Sequence, residues 1–319
     1  MAQPLMTDPV ILHAHESIAA GSKSFALASR IFAPAMRDDA AMLYAWCRYC
    51  DDVIDGQEMG HGQIEDYRTG QRERLAFLTA QTRAALEGTN LTSGEDEAYI
   101  FQGLARVFET HEIPHRHAYE LLRGFEMDTD IRHYQTEADI LDYCYHVAGV
   151  VGVMMAYVMG VRDEATLDRA SDLGLAFQLT NIARDVIDDA RADRIYVPED
   201  VLLNAGAPTL ASEIAKRENW PANHVAAVHL LEMAEQYYDS AKVGIKELPF
   251  RCAWAICAAL SVYREIGETL RKRGPQAWEQ RVGASKGRKI ALALRASGAA
   301  MRRESVTVTS REKLYRRPA

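Results

Sequence analysis

Apolar positions recur at three- and four-residue spacing along almost the whole chain, and strict apolar–polar alternation is scarce. The pattern predicts helices over residues 10–20, 22–32, 36–56, 62–87, 95–110, 115–130, 137–160, 163–190, 210–218, 222–245, 249–273 and 284–303. β-Branched runs bounded by turn residues are nearly absent, so the expected fold class is all-α. Punctuation agrees with these bounds. Pro34 and Pro114 sit near helix starts, Gly88-Thr89-Asn90 and Thr92-Ser93-Gly94 bracket a loop, and Pro198 follows a non-helical Arg194-Ile195-Tyr196-Val197. Pro249 and Pro275 mark the last turns. With no internal repeat and no long linker, residues 1–319 read as a single domain, with a polar, basic and disordered tail over about 304–319.

Composition narrows the picture. Hydrophobic residues make up 48% of the chain, enough for a sizeable core. The net charge of −8 is unevenly spread: residues 271–319 carry 14 Lys and Arg against 3 Asp and Glu, so the body is strongly acidic. An acidic body argues against nucleic acid as partner. The basic tail could touch anionic lipid headgroups, although a solvated, frayed terminus is the commoner outcome. Cys47 and Cys50 form a C-x-x-C without a second pair, and Cys144, Cys252 and Cys257 are scattered; all five read as reduced thiols of a cytoplasmic protein. The first 20 residues lack the basic and apolar regions of a signal peptide. The most apolar stretch, Val147 to Val161, is too short to span a bilayer and reads as a core helix.

Two segments carry candidate chemistry. In Tyr44-Ala45-Trp46-Cys47-Arg48-Tyr49-Cys50-Asp51-Asp52-Val53-Ile54-Asp55, helical geometry gathers Tyr44, Arg48, Asp51 and Asp55 within about 60° of arc, with Asp52 beside them. In Gln178-Leu179-Thr180-Asn181-Ile182-Ala183-Arg184-Asp185-Val186-Ile187-Asp188-Asp189, it gathers Gln178, Asn181, Asp185 and Asp189 within about 80°. A solvated acidic face is the bland alternative. Against it, neither stripe shows the Lys/Arg interleaving that relieves like charges, and Leu43, Trp46 and Tyr49 make the first helix too apolar to be freely exposed. Buried carboxylates at this spacing call for a hard cation. Magnesium takes one or two carboxylates together with substrate phosphates, so two such stripes would clamp a diphosphate ester and help it leave, and an apolar bundle would shield the resulting allylic cation from water.

These segments resemble the motifs of the squalene/phytoene synthases, head-to-head prenyltransferases of the isoprenoid synthase fold, and the resemblance covers residues of about 15–290. Gly21-Ser22-Lys23-Ser24-Phe25, Asp193-Arg194-Ile195-Tyr196-Val197-Pro198 and the central Asp142-to-Gly152 segment are similar to the family as well, and the first motif's wording is most like its bacterial phytoene-forming members. The resemblance implies a single-domain bundle around a central apolar cavity. It implies magnesium, with manganese as a substitute, on Asp51, Asp55, Asn181, Asp185 and Asp189, with Asp52 close by. It implies diphosphate contacts from Ser22, Ser24, Arg48, Gln178, Arg184 and Tyr196, with Tyr143 at the reaction centre. Tyr263 and Arg281 match further substrate positions, Arg281 only after a one-residue shift. The implied reaction joins two geranylgeranyl diphosphates through prephytoene diphosphate to phytoene, in carotenoid biosynthesis, without NADPH. Tyr143, Tyr196 and released diphosphate are the candidates for proton handling.

Three alternatives stand beside this reading. One is a C15 relative making dehydrosqualene, presqualene diphosphate or squalene from farnesyl diphosphate. Another is a non-catalytic assembly protein of the same family, which both intact aspartate motifs disfavour. The third is a terpene cyclase, whose patterns the second motif does not resemble. Ser22 and Ser24 also read as a plain helix cap around Gly21, His146 as a core histidine, and Gly149 and Gly152 as close-packing positions. The hydrophobic product suggests peripheral contact with the inner face of the membrane; oligomeric state is left open.

Overall fold

The computed structural model of the chain describes residues 8–57, 67–92, 94–130 and 133–318, and within these not the side chains of Lys23, Ser24, Glu95 and Glu304. The helices are α1 Pro9–Gly21, α2 Lys23–Ser29, α3 Pro34–Asp55, α4 Gln71–Leu86, α5 Glu95–Thr110, α6 Arg116–Thr129, α7 Glu137–Cys144, α8 Val150–Val158, α9 Glu164–Arg191, α10 Glu199–Asn204, α11 Ala211–Ile214, α12 Trp220–Gly244, α13 Phe250–Arg273 and α14 Lys286–Met301. There is no strand among the described residues.

Local chemistry explains several ends. Pro34 opens α3, where a missing N–H costs nothing, and Gly56 closes it in the left-handed conformation at φ 59°. Thr136 and Asp139 cap α7 reciprocally: the Thr136 N–H donates to Asp139 Oδ2 at 2.9 Å, and the Asp139 N–H donates to Thr136 Oγ1 at 3.4 Å. Asp163 accepts from the Thr166 N–H at 2.9 Å to start α9.

Three departures from the pattern have physical causes. Between α7 and α8 lies a π-helical turn, Tyr145–Gly149, a change of backbone register to which side-chain periodicity is blind. The helix expected over 210–218 shrinks to α11, and α10 appears unforeseen, both too short for a periodic signal. The run Glu137–Val158 is longer than its apolar centre suggested: by length and composition its 22 residues could cross a membrane, but 67% of its most apolar window is buried inside the protein. The start of the helix expected over 62–87 falls partly outside the described residues.

The chain divides into two compact units, residues 1–130 with 154–160, and residues 131–153 with 161–319. In the first, α1, α3 and α5 pack on one another, and α4 packs on α5 and α6, around Met42, Leu43, Trp46, Leu78, Phe101 and Leu104. The Trp46 indole donates to Thr82 Oγ1 at 3.3 Å. Arg106 on α5 donates to Asp8, the cap of α1, at 2.6 Å.

In the second unit α9 pairs with α12 and also meets α13 and the π-turn, while α14 packs on α13. The joint between α9 and the π-turn is backbone against backbone. A Cβ on Gly174 would stand 2.3 Å from the Ala148 carbonyl oxygen, and one on Gly152 would stand 2.4 Å from that of Ala170. The basic tail, expected to be solvated, is docked. Glu164, Asp168 and Asp172 form an i, i+4, i+8 row on α9; Arg311 bridges Asp168 at 2.9 Å and Asp172 at 2.7 Å, while Arg317 pairs with Asp168 and Glu164. All five cysteines are free thiols.

Candidate active site

The first unit holds one acidic cluster. On α3, Arg48 Nη1 pairs with Asp51 at 3.0 Å and Nη2 donates to Asp52. Asp52 is buried, Asp51 is the more open of the two, and Asp55 ends the helix. Burial raises the Tyr44 phenol to about 12 and keeps it neutral. The α2 start rests on the same face: Phe25 stacks on Tyr44 at 5.3 Å between centroids, and a Cβ on Gly21 would lie 2.5 Å from the Tyr44 hydroxyl. Ser22 caps α2, accepting from the Phe25 N–H at 3.2 Å. The Ser24 side chain lies outside the described residues. Arg48 Nε is buried with no hydrogen-bond acceptor, so this guanidinium has donor capacity to spare.

The second unit holds the other cluster, on α9. Asp185 accepts from Arg184 Nε at 2.8 Å, from Arg184 Nη2, and from Arg281 Nη2 at 3.0 Å. Arg281, the weakest match in the sequence, thus lies directly on the second motif. Tyr263 reaches it too: Asn181 acts on its phenol and lowers its pKa against burial, which pushes it up overall, and its ring stacks on Phe177 at 4.1 Å. Asp189 is pushed up to about 8 by burial, with Asp185 and Asp188 adding to the shift. It walls a small cleft with Ile182, Val186, Arg194 and Tyr196. Tyr196 stacks on Tyr143 at 5.2 Å, and Tyr134 completes a three-ring cluster, 5.2 Å from Tyr143 and 6.0 Å from Tyr196. Gln178 lies one turn before Asn181 on the same helix and is half-buried.

The structure qualifies one premise of the sequence reading. Each acidic stripe does carry its own arginine, Arg48 or Arg184, in contact with a carboxylate, and Arg281 joins from a distant segment. Sequence reasoning also missed three residues. Arg194 faces Asp189 and lowers its pKa against the effect of burial; the matched segment around Tyr196 was the available signal. Tyr134, in a loop, had none. Trp278 donates its indole N–H to the Arg184 carbonyl at 2.9 Å and had no signal either, because the contact spans 94 positions.

The donor set fits magnesium. Every candidate ligand is an oxygen, two carboxylates stand one turn apart on each stripe, and burial is the main reason Asp189 is raised. Among the described residues no three His, Cys, Asp or Glu side chains converge into a closed cage.

Among the described residues, helices without strands, two arginine-flanked aspartate stripes and a largely buried aromatic cluster define an all-helical protein with two acidic sites. The chain belongs to the squalene/phytoene synthase family, whose match runs over residues 18–288 and through both units. It is 49% identical over 319 residues to a phytoene synthase of Pseudescherichia vulneris, covering 100% of each chain. It is also 49% identical over 283 residues to a 15-cis-phytoene synthase of Paracoccus sp. (strain N81106 / MBIC 01143), covering 89% of each. Among solved structures it resembles a dehydrosqualene synthase crystallised with ligand, with TM-score 0.80 and 26% identity over 91% of this chain and 96% of that one.

Proposed function

We propose that this chain is a prenyltransferase that joins two molecules of geranylgeranyl diphosphate head to head, through prephytoene diphosphate, to phytoene. In the first step C1 of one substrate loses diphosphate and is attacked by the double bond of the second. Loss of a proton closes the cyclopropane. In the second step the remaining diphosphate leaves, the skeleton rearranges, and a second proton is lost. Two diphosphates and two protons are released for each phytoene, with no net oxidation or reduction, so NADPH has no role.

The observation that carries the reading is the α9 cluster. Asp185 gathers Arg184 and Arg281, Asn181 neighbours Tyr263, and Asp189 is raised mainly by burial. Asp185, Asp189 and Asn181 would hold magnesium in the second unit, and Asp51 and Asp55 in the first. An ion held there would supply positive charge to the departing diphosphate. Arg48, Arg184 and Arg281 bind phosphate oxygens through charge-assisted hydrogen bonds. The faces of Tyr134, Tyr143 and Tyr196 offer cation–π stabilisation to an allylic cation, and Tyr143, Tyr196 and the released diphosphate are the candidates for taking the lost proton. Support for the C20 substrate comes from the high identity to proteins named phytoene synthases, against 26% to a dehydrosqualene synthase.

Peripheral contact with an anionic bilayer from the cytoplasmic side belongs to the same proposal. Its support is the exposed Ile290, Leu294 and Met301 stripe on α14, flanked by Lys286, Arg295 and Arg302. The deciding assay incubates the protein with magnesium and either geranylgeranyl or farnesyl diphosphate, without NADPH, and identifies products by mass. Phytoene from the C20 substrate is expected. Turnover of the C15 substrate alone would overturn the substrate assignment, and no turnover of either would favour a non-catalytic member.

A further inference from the structure

The C-terminal segment from Thr309 to Arg317 lies beyond the family match, which ends at residue 288, yet it makes some of the most directed contacts in the second unit. Arg311 donates from Nε to Asp172 Oδ2 at 2.7 Å and from Nη2 to Oδ1 at 2.8 Å, a fork onto a carboxylate whose side chain is only 1% exposed. Arg169 reaches out from α9 to the Thr309 carbonyl at 2.7 Å. Beyond these anchors the strap turns Tyr315 inward. Its N–H donates to the Tyr237 hydroxyl at 3.1 Å, its carbonyl accepts from Arg311 at 3.0 Å, and its ring lies 5.8 Å from Tyr145. Its hydroxyl donates to Asp142 Oδ1 at 3.0 Å.

Asp142 precedes Tyr143, the centre of the three-ring cluster, at the point where α7 runs into the π-turn. The Asp142 carbonyl also pairs with His146 Nδ1 at 2.8 Å, inside that turn. Shifting a π-turn by one residue moves the residue it passes from one helical frame to the other, a change of about 100° about the axis. A side chain pinned from outside the helix holds the turn in one register. We propose that the C-terminal strap is a positioning element of the reaction: through the Tyr315–Asp142 hydrogen bond it holds the π-turn, and with it Tyr143, in register against Tyr134 and Tyr196. The inference rests on the reading of Tyr143 as a working residue.

Tyr315→Phe removes the hydroxyl and leaves the arginine anchors in place. The expected result is a kcat for phytoene lower by about tenfold, the loss of one hydrogen bond to a charged group, with unchanged KM and a melting temperature lowered by only a few degrees. In a Tyr143→Phe background the same substitution causes no further loss. Asp142→Asn, which keeps an acceptor oxygen, retains most of the activity. Full kcat in Tyr315→Phe, or a loss that multiplies with that of Tyr143→Phe, overturns the strap's role. Full activity in Tyr143→Phe alone removes the reading of Tyr143 and the inference with it, and that control tells the two failures apart.

Discussion

Replacing Gly174 by alanine adds one methyl where α9 meets the Ala148–Gly149 backbone. The new Cβ would lie 2.3 Å from the Ala148 carbonyl oxygen and 2.7 Å from the Gly149 Cα. Ordinary contact for such atoms begins near ~3.4 Å, so α9 and the π-turn must part by about 1 Å. Neither partner is a flexible side-chain tip, which puts the cost at about 3 kcal/mol, the upper end for overpacking. Alanine's better helix propensity returns about 1 kcal/mol, leaving a net loss of about 2 kcal/mol. Urea unfolding followed by circular dichroism reads this as a lower midpoint at unchanged slope. Gly152→Ala meets the Ala170 carbonyl at 2.4 Å and loses a similar amount. The double variant loses less than the sum, because helices already parted accept the second methyl cheaply. Gly298→Ala on α14 is the control: its Cβ meets only the end of the Arg302 side chain, at 3.5 Å, and stability is kept or gained. If Gly174→Ala is as stable as the parent, the claim that backbone contact forms this joint is wrong.

Three further outcomes are expected. Arg311→Met strands the buried Asp172 carboxylate with Ser240 and the neighbouring Arg169, and costs about 3–5 kcal/mol in denaturant unfolding; Arg311→Met with Asp172→Asn recovers most of it, and an unchanged midpoint for the single variant would mean the tail is not docked. Asp8 has its pKa held below the ordinary carboxylate value by Arg106, so its contribution is present above the unfolded pKa and lost as pH falls through the folded one; Asp8→Asn therefore flattens the acid side of the stability profile, and an identical profile would refute this. Magnesium with inorganic diphosphate raises the melting temperature, by the equivalent of about 2.7 kcal/mol at a hundredfold excess over Kd. Asp51→Asn and Asp185→Asn lower both this shift and turnover, and folded variants with full activity would sink the metal assignment.

Much of this was legible in the chain because it depends on local periodicity. The helical class, the bounds of α3, α9 and α13, and the aspartate stripes all follow from residues one turn apart, and a stripe on one helix is the same stripe in any fold that keeps the helix. Ser22 turned out to be the cap that its Gly-Ser context suggests, whatever else it does. The Glu164, Asp168 and Asp172 row was equally visible and went unread, since an acidic row has no meaning until its cations are known.

What the sequence determined, then, is which side chains share a helix face and which family the chain belongs to. The tertiary structure alone decided that Arg281 lies on Asp185, that Trp278 holds the Arg184 carbonyl, that Tyr134 joins Tyr143 and Tyr196, and that the basic tail is a strap. Each of those contacts joins residues from separate elements. Their cause is the packing of helices into a shared core, where burial makes an unpaired charge or polar group costly and so selects partners by position in space, which no local spacing records.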